Sequence, residues 1–90
     1  MDSKPFRSKA KFFKALSNER RLLVLSTIAK IKGPVGYSVV ELAETLKLPY
    51  KSLSKHLQIL DQANLIERAR QGRAVSYTAT KDGRYALTAF

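Results

Sequence analysis

The strongest constraint on this sequence lies between Ser38 and Ala63, where two amphipathic patterns are separated by only Leu48-Pro49. Ser38-Val39-Val40-Glu41 has the form of a capping box, in which the Ser hydroxyl and the Glu carboxylate each satisfy a backbone N–H left free at a helix start. A short helix is predicted over residues 39–47, burying Leu42, Ala43 and Leu46. A second, over 50–63, repeats Leu53, Leu57 and Leu60 at helical spacing with His56 and Ala63 on the same side, and Asn64 suits a left-handed stop. Two helices joined by so few residues form a helix-turn-helix, whose second helix is shaped to enter the DNA major groove.

The flanking segments complete a small domain. Phe6, Ala10, Phe13 and Leu16 recur at helical spacing after Pro5, predicting a first helix over 5–16. Ser17 and Asn18 are capping residues, and Leu22, Val24, Leu25, Ile28, Ala29 and Ile31 give a second helix, 18–32, the broad apolar face of a buried central element. The segment 32–37, with two glycines and a proline, reads as a loop. Beyond Asn64, Leu65–Arg70 and Arg73–Thr78 are rich in β-formers on either side of Gln71-Gly72, which predicts a hairpin turning there, a wing over 65–79. A short terminal helix is expected over 81–89. The fold class is therefore α+β, mainly α: a single winged helix-turn-helix domain spanning 1–90, with four to five helices and a two-stranded hairpin.

Charge then narrows the partner. Seventeen Lys and Arg against seven Asp and Glu give +10, and residues 1–32 alone carry +7. A polyanion is the expected partner. The absence of cysteine excludes disulfides, thiolate metal sites and thiol catalysis. A lone histidine, His56, cannot build a multi-histidine metal site or a His–His acid–base pair within one chain, and it is expected to be packed and hydrogen-bonded. No metal and no cofactor are expected. Residues 1–14 lack the apolar run of a signal peptide, and no run of about 18 apolar residues occurs; a soluble, cytoplasmic, nucleoid-associated protein with no membrane partner is expected.

On the second helix of the motif, Lys51, Ser54, Lys55, Gln58 and Gln62 lie opposite the leucines, and none is acidic. Such side chains meet phosphates and base edges. The arginines of the hairpin suit a narrow groove of strong negative potential. The expected DNA-binding set is Ser38, Lys47, Tyr50, Lys51, Ser52, Ser54, Lys55, Gln58, Arg68, Arg70, Gln71 and Arg73. Phe6, Phe12, Phe13 and Leu16, with Tyr85 and Phe90, offer more apolar surface than one small domain needs and are expected to seam a homodimer. Tyr77 is expected beneath the wing.

These segments also carry a family resemblance. The runs Ala15-Leu16-Ser17-Asn18-Glu19-Arg20-Arg21-Leu22-Leu23-Val24-Leu25, Ser38-Val39-Val40-Glu41-Leu42-Ala43, Leu53-Ser54-Lys55-His56-Leu57-Gln58-Ile59-Leu60, Leu65-Ile66-Glu67-Arg68 and Gly72-Arg73-Ala74-Val75-Ser76-Tyr77 resemble the ArsR/SmtB-like winged-helix repressors over about residues 12–79. The resemblance implies a dimer that binds operator DNA and is often released by a small effector. The Cys-x-Cys motif and the last-helix His/Asp ligands of metal-sensing members are absent, so that role does not transfer. Lys47 and Asn64 stand where glycines are common, and Pro49 and Tyr50 where polar residues are common.

The leading expectation is a sequence-specific double-stranded DNA-binding transcriptional regulator, a repressor. The alternative is a winged-helix protein–protein interaction module. An enzyme is not expected, because no Gly-rich phosphate loop or paired catalytic carboxylates are discernible and His56 is already explained by the helix. The effector is not specified by the sequence.

Overall fold

Side chains begin three of the helices. The computed structural model describes residues 4–30 and 36–89, with only the backbone of Lys4, Pro5 and Gln71. The elements are α1 (Lys4–Leu16), α2 (Glu19–Ala29), α3 (Val39–Leu46), α4 (Tyr50–Gln62), β1 (Ile66–Gln71), β2 (Ala74–Ala79) and α5 (Lys81–Ala89). At α2 the Asn18 side chain accepts from the Arg21 N–H. Both bonds of the capping box at α3 are made, the Glu41 N–H to the Ser38 hydroxyl at 3.1 Å and the Ser38 N–H to Glu41 Oε1 at 3.3 Å. At α5 the Thr80 hydroxyl accepts from the Gly83 N–H and donates to the Asn64 carbonyl, joining this helix to the end of α4.

The core is one contiguous cluster. Val24, Leu25 and Ile28 of α2, Leu42 of α3 and Leu53, Leu57 and Leu60 of α4 meet Leu65, Ile66, Ala15 and Ala86. Positions 53, 57 and 60 lie on one helical stripe, so α4 buries one face and leaves the other free. Left-handed backbone closes both helices of the motif: Lys47 (φ 53°), after α3, lets the Leu48 N–H return to the Ala43 carbonyl, and Asn64 (φ 61°), after α4, lets the Leu65 N–H return to the Leu60 carbonyl.

Several expectations change. Leu22 is partly exposed and Leu23 half-exposed, because the apolar residues of α2 spread around more of the helix than the core covers. Ile31, Lys32 and the segment 31–35 lie outside the described residues. The turn is centred one residue later than expected: Gln71 pairs with Ala74, leaving Gly72-Arg73 as the two-residue loop. Gly72 has φ +61° whereas Arg73 does not, the pattern of a type II′ turn. Tyr37 is not simple loop. It exchanges both backbone hydrogen bonds with Tyr77, flanking β2 on the side opposite β1. Gly36 beside it packs against the Tyr77 carbonyl so closely that a Cβ would overlap. Tyr77 itself is partly buried against the core. Among the described residues no helix is long and apolar enough to cross a membrane.

Candidate nucleic-acid interface

The free face of α4 follows from its own stripe. With Leu53 and Leu60 fully buried, the 100° step places Lys51, Lys55, Gln58 and Gln62 in solvent and Ser52 and Ser54 at the margins. Tyr50, at the first position, is 60% exposed. The N-terminus of this helix differs from those of α2, α3 and α5. Pro49 is its N-cap and supplies no side-chain hydrogen bond, so the first-turn amides point outward beside Lys51 with no capping partner. Unsatisfied helix N–H groups and the positive end of the helix dipole suit a phosphate oxygen.

The hairpin adds a second cationic element. Register pairs Ile66 with Ala79, Arg68 with Tyr77 and Arg70 with Val75. Alternate residues of a strand share a face of the sheet, so Arg68 and Arg70 continue, beyond the body of the domain, the face on which Ile66 packs. Both are exposed, as is Arg73 in the turn. The Arg70 Nε–H reaches the Gly72 carbonyl at 3.4 Å, a weak brace across the loop. Gln71 closes β1, and its side chain lies outside those described.

Two other expected contacts have structural duties. Ser38 is half-buried and its oxygen already accepts in the capping box, though its O–H remains available to donate. Lys47 is exposed at the left-handed turn between α3 and α4. Val40, which the sequence does not single out, is exposed in the first turn of α3.

Arg21 departs furthest from expectation. Within the cationic N-terminal third it reads as surface charge, yet it is only 8% exposed. One terminal nitrogen donates to the Lys14 carbonyl at 2.9 Å. His56 is half-buried rather than fully packed, and its Nδ1 is buried without the expected hydrogen-bond partner. Partial burial, followed by the nearby charges of Arg21, Arg20 and Lys55, holds its pKa below the ordinary histidine range.

On another side of the domain, α1, α2 and α5 form an open apolar groove of about 870 Å³ whose walls include Phe13, Leu22, Leu23 and Leu87. Phe13 is 56% and Leu23 50% exposed, with Phe6 and Tyr85 also largely uncovered. Of the expected seam residues, Phe12 and Leu16 pack partly against their own core, and Phe12 meets Phe13 edge-to-face. Phe90 lies outside the described residues. The exposure of Leu22 and Leu23 had no distinctive sequence signal. Among the described residues no group of three or more metal-ligating side chains occurs.

The bacterial regulatory protein, arsR family, matches residues 18–68. The chain belongs to the arsR family. The matched span of this arsR-family chain runs from the Asn18 cap through the helix-turn-helix to Arg68 in the wing. Nodulation protein NolR of Rhizobium meliloti is 33% identical over 73 residues, covering 81% of this chain. The chain spans 57% of the length of that curated relative. Among known structures, NolR from Sinorhizobium fredii is similar at TM-score 0.78 and 27% identity, covering 96% of this chain and 82% of that one. A homodimeric winged helix-turn-helix DNA-binding domain from Mycobacterium bovis, a possible ArsR-family transcriptional regulator, is similar at TM-score 0.80 and 26% identity, covering 97% and 77%. HlyU from Vibrio cholerae is similar at TM-score 0.76 and 27% identity, covering 98% and 92%.

Proposed function

We propose that this chain is a sequence-specific double-stranded DNA-binding transcriptional regulator acting as a repressor, with α4 in the major groove and the arginine-bearing wing on the backbone and minor groove. The observation that carries the reading is the α4 face: Tyr50, Lys51, Lys55 and Gln58 stand clear above a fully buried leucine stripe, and the helix start beside them has no side-chain cap. Lysine and exposed amides hold phosphates and fix the register, whereas Gln58, Ser54 and Tyr50 are placed to meet base edges. Membership of a family of regulatory proteins supports regulation rather than enzymatic chemistry, and a regulator acting on DNA is expected at the nucleoid in the cytoplasm. Occupancy of an operator represses by excluding the transcription machinery.

The working unit is a homodimer. Its seam is built on Phe6 and Phe13 of α1 and Tyr85 of α5, and the exposed Leu22 and Leu23 extend the same apolar surface. Burying that surface against a second copy would present two recognition helices about 34 Å apart to a near-palindromic site. The homodimeric Mycobacterium bovis domain supports this assembly.

A titration against a random-sequence duplex library at two salt concentrations tests the function. The expected result is enrichment of a two-fold related site and an affinity that falls steeply with salt, by about 0.9 log unit per phosphate neutralised for each log unit of salt. Salt-independent binding, or no selection of duplex DNA, would reject the reading in favour of a protein-interaction module.

A further inference from the structure

One large side chain on the recognition helix takes no part in the fold. The stripe that buries Leu53, Leu57 and Leu60 runs on, one turn toward the N-terminus of α4, to Tyr50, which helical spacing places on the same line. There the core has ended: Tyr50 is 60% exposed and stays outside the hydrophobic cluster. Among the described residues its ring meets no other ring and its hydroxyl has no hydrogen-bond partner. The remaining large exposed hydrophobics sit on other helices, Phe6 and Phe13 on α1, Leu22 and Leu23 on α2, Val40 on α3 and Tyr85 on α5. The apolar faces of the Tyr50 ring are therefore left for something outside the domain to cover.

We propose that Tyr50 is a specificity-determining residue whose ring covers the C5-methyl group of a thymine in each half-site of the operator. This deepens, and rests on, the proposed function, in which the N-terminal end of α4 leads into the major groove. The base edges in that groove offer hydrogen-bond donors, hydrogen-bond acceptors and one apolar group, the thymine methyl. The neighbours of Tyr50 match the first two. Lys51 and Lys55 are exposed and only donate, whereas Gln58 and the half-buried Ser54 both donate and accept. Tyr50 alone among them presents mainly carbon. Ser54 follows it by four residues, on the same side of the helix, which fixes the thymine under the ring in register with the base edge that this hydroxyl meets. Contact through the Tyr50 hydroxyl to a phosphate would instead add affinity without sequence preference.

Thymine and uracil differ by that methyl group alone, so the test is a scan of the selected duplex in which each thymine in turn is replaced by uracil. The wild-type chain should lose about fourfold in affinity at one position per half-site, the worth of one buried carbon, and about 15-fold when both half-sites are substituted. Tyr50→Phe should keep that difference, and Tyr50→Gln should bind thymine and uracil duplexes alike, both with unchanged helicity because the residue lies outside the core. In the wild type, 5-bromouracil at the sensitive position should crosslink on irradiation to the peptide carrying Tyr50, a readout that needs no variant to fold. Uniform affinity across the scan, a uracil effect that survives Tyr50→Gln, or a crosslink to another residue would overturn the proposal while sequence-selective DNA binding stands. An equal loss in Tyr50→Phe on every duplex would assign the hydroxyl to a phosphate and overturn it too. If no duplex is selected at all, the regulatory reading itself falls and the methyl contact with it.

Discussion

Replacing Arg70 and Arg73 together by alanine gives the sharpest test of how the wing works. Both side chains are exposed at the hairpin end, and among the described residues their one hydrogen bond to backbone is the weak 3.4 Å contact from Arg70 Nε–H to the Gly72 carbonyl. The fold should barely register their loss; exposed substitutions of this kind cost about 0.5 kcal/mol or less. DNA binding should respond far more. If each arginine neutralises one phosphate, a dimer loses about four contacts and its slope of log affinity against log salt becomes shallower by about 3.6. Across a fourfold rise in salt, from about 50 to 200 mM, the advantage of the wild type over the variant should therefore shrink about 150-fold. Fluorescence anisotropy of a labelled duplex at four or five salt concentrations measures this directly. Because backbone contacts carry no sequence information, operator and scrambled duplexes should show the same change. Equal slopes for wild type and variant, with unfolding curves that coincide, would refute a phosphate-contacting wing.

Three further outcomes are expected. Phe13→Glu, at a residue 56% exposed on α1, should convert a sedimenting dimer to monomer with helicity retained, and should weaken binding to a palindromic site much more than to one half-site. Lys47→Gly relieves a left-handed conformation (φ 53°) that disfavours a side chain; urea unfolding should show a gain of about 0.5–1 kcal/mol, while the salt slope falls through loss of the charge. His56 has a pKa lowered in the folded state, so above the ordinary value of about 6.5 both states are neutral and it contributes no pH dependence. As pH falls through 6.5 the unfolded chain takes up the proton first and stability drops until the folded pKa is reached; His56→Gln should flatten that part of the urea midpoint against pH.

The parts of this fold legible in the sequence are those fixed by local chemistry. Ser38 and Glu41 announce a helix start because both bonds of the capping box form within four residues, and the leucines at 53, 57 and 60 identify a buried face because helical geometry alone places them together. The solvent face of α4, with its lysines and glutamine, follows by subtraction. Other features depend on what lies across the fold. Periodicity marks Leu22 and Leu23 as apolar but cannot say whether their own core covers them. The hairpin turn shifts by one residue because the pairing of Ile66 with Ala79 sets the register, and that pairing depends on how Ile66 packs. Tyr37 forms a single bridge, too short to leave an alternating pattern. Arg21 resembles its cationic neighbours in sequence, and only the packed fold, with the Lys14 carbonyl seven residues back as its acceptor, makes it an interior residue.

The bridge between Tyr37 and Tyr77 links the segment entering α3 to the middle of the wing strand β2, and Gly36 beside it leaves no slack for a side chain. The wing is thus bolted to the same frame as the helix-turn-helix, so the domain acts as a gauge of fixed span. Under the proposed function, an operator must offer a readable stretch of major groove and an accepting backbone at one set separation and one angular phase. Adding or removing a base pair between those two features turns the second away by about a tenth of a helical turn, and a frame that cannot swing to follow would register that change in DNA geometry as forcefully as a wrong base.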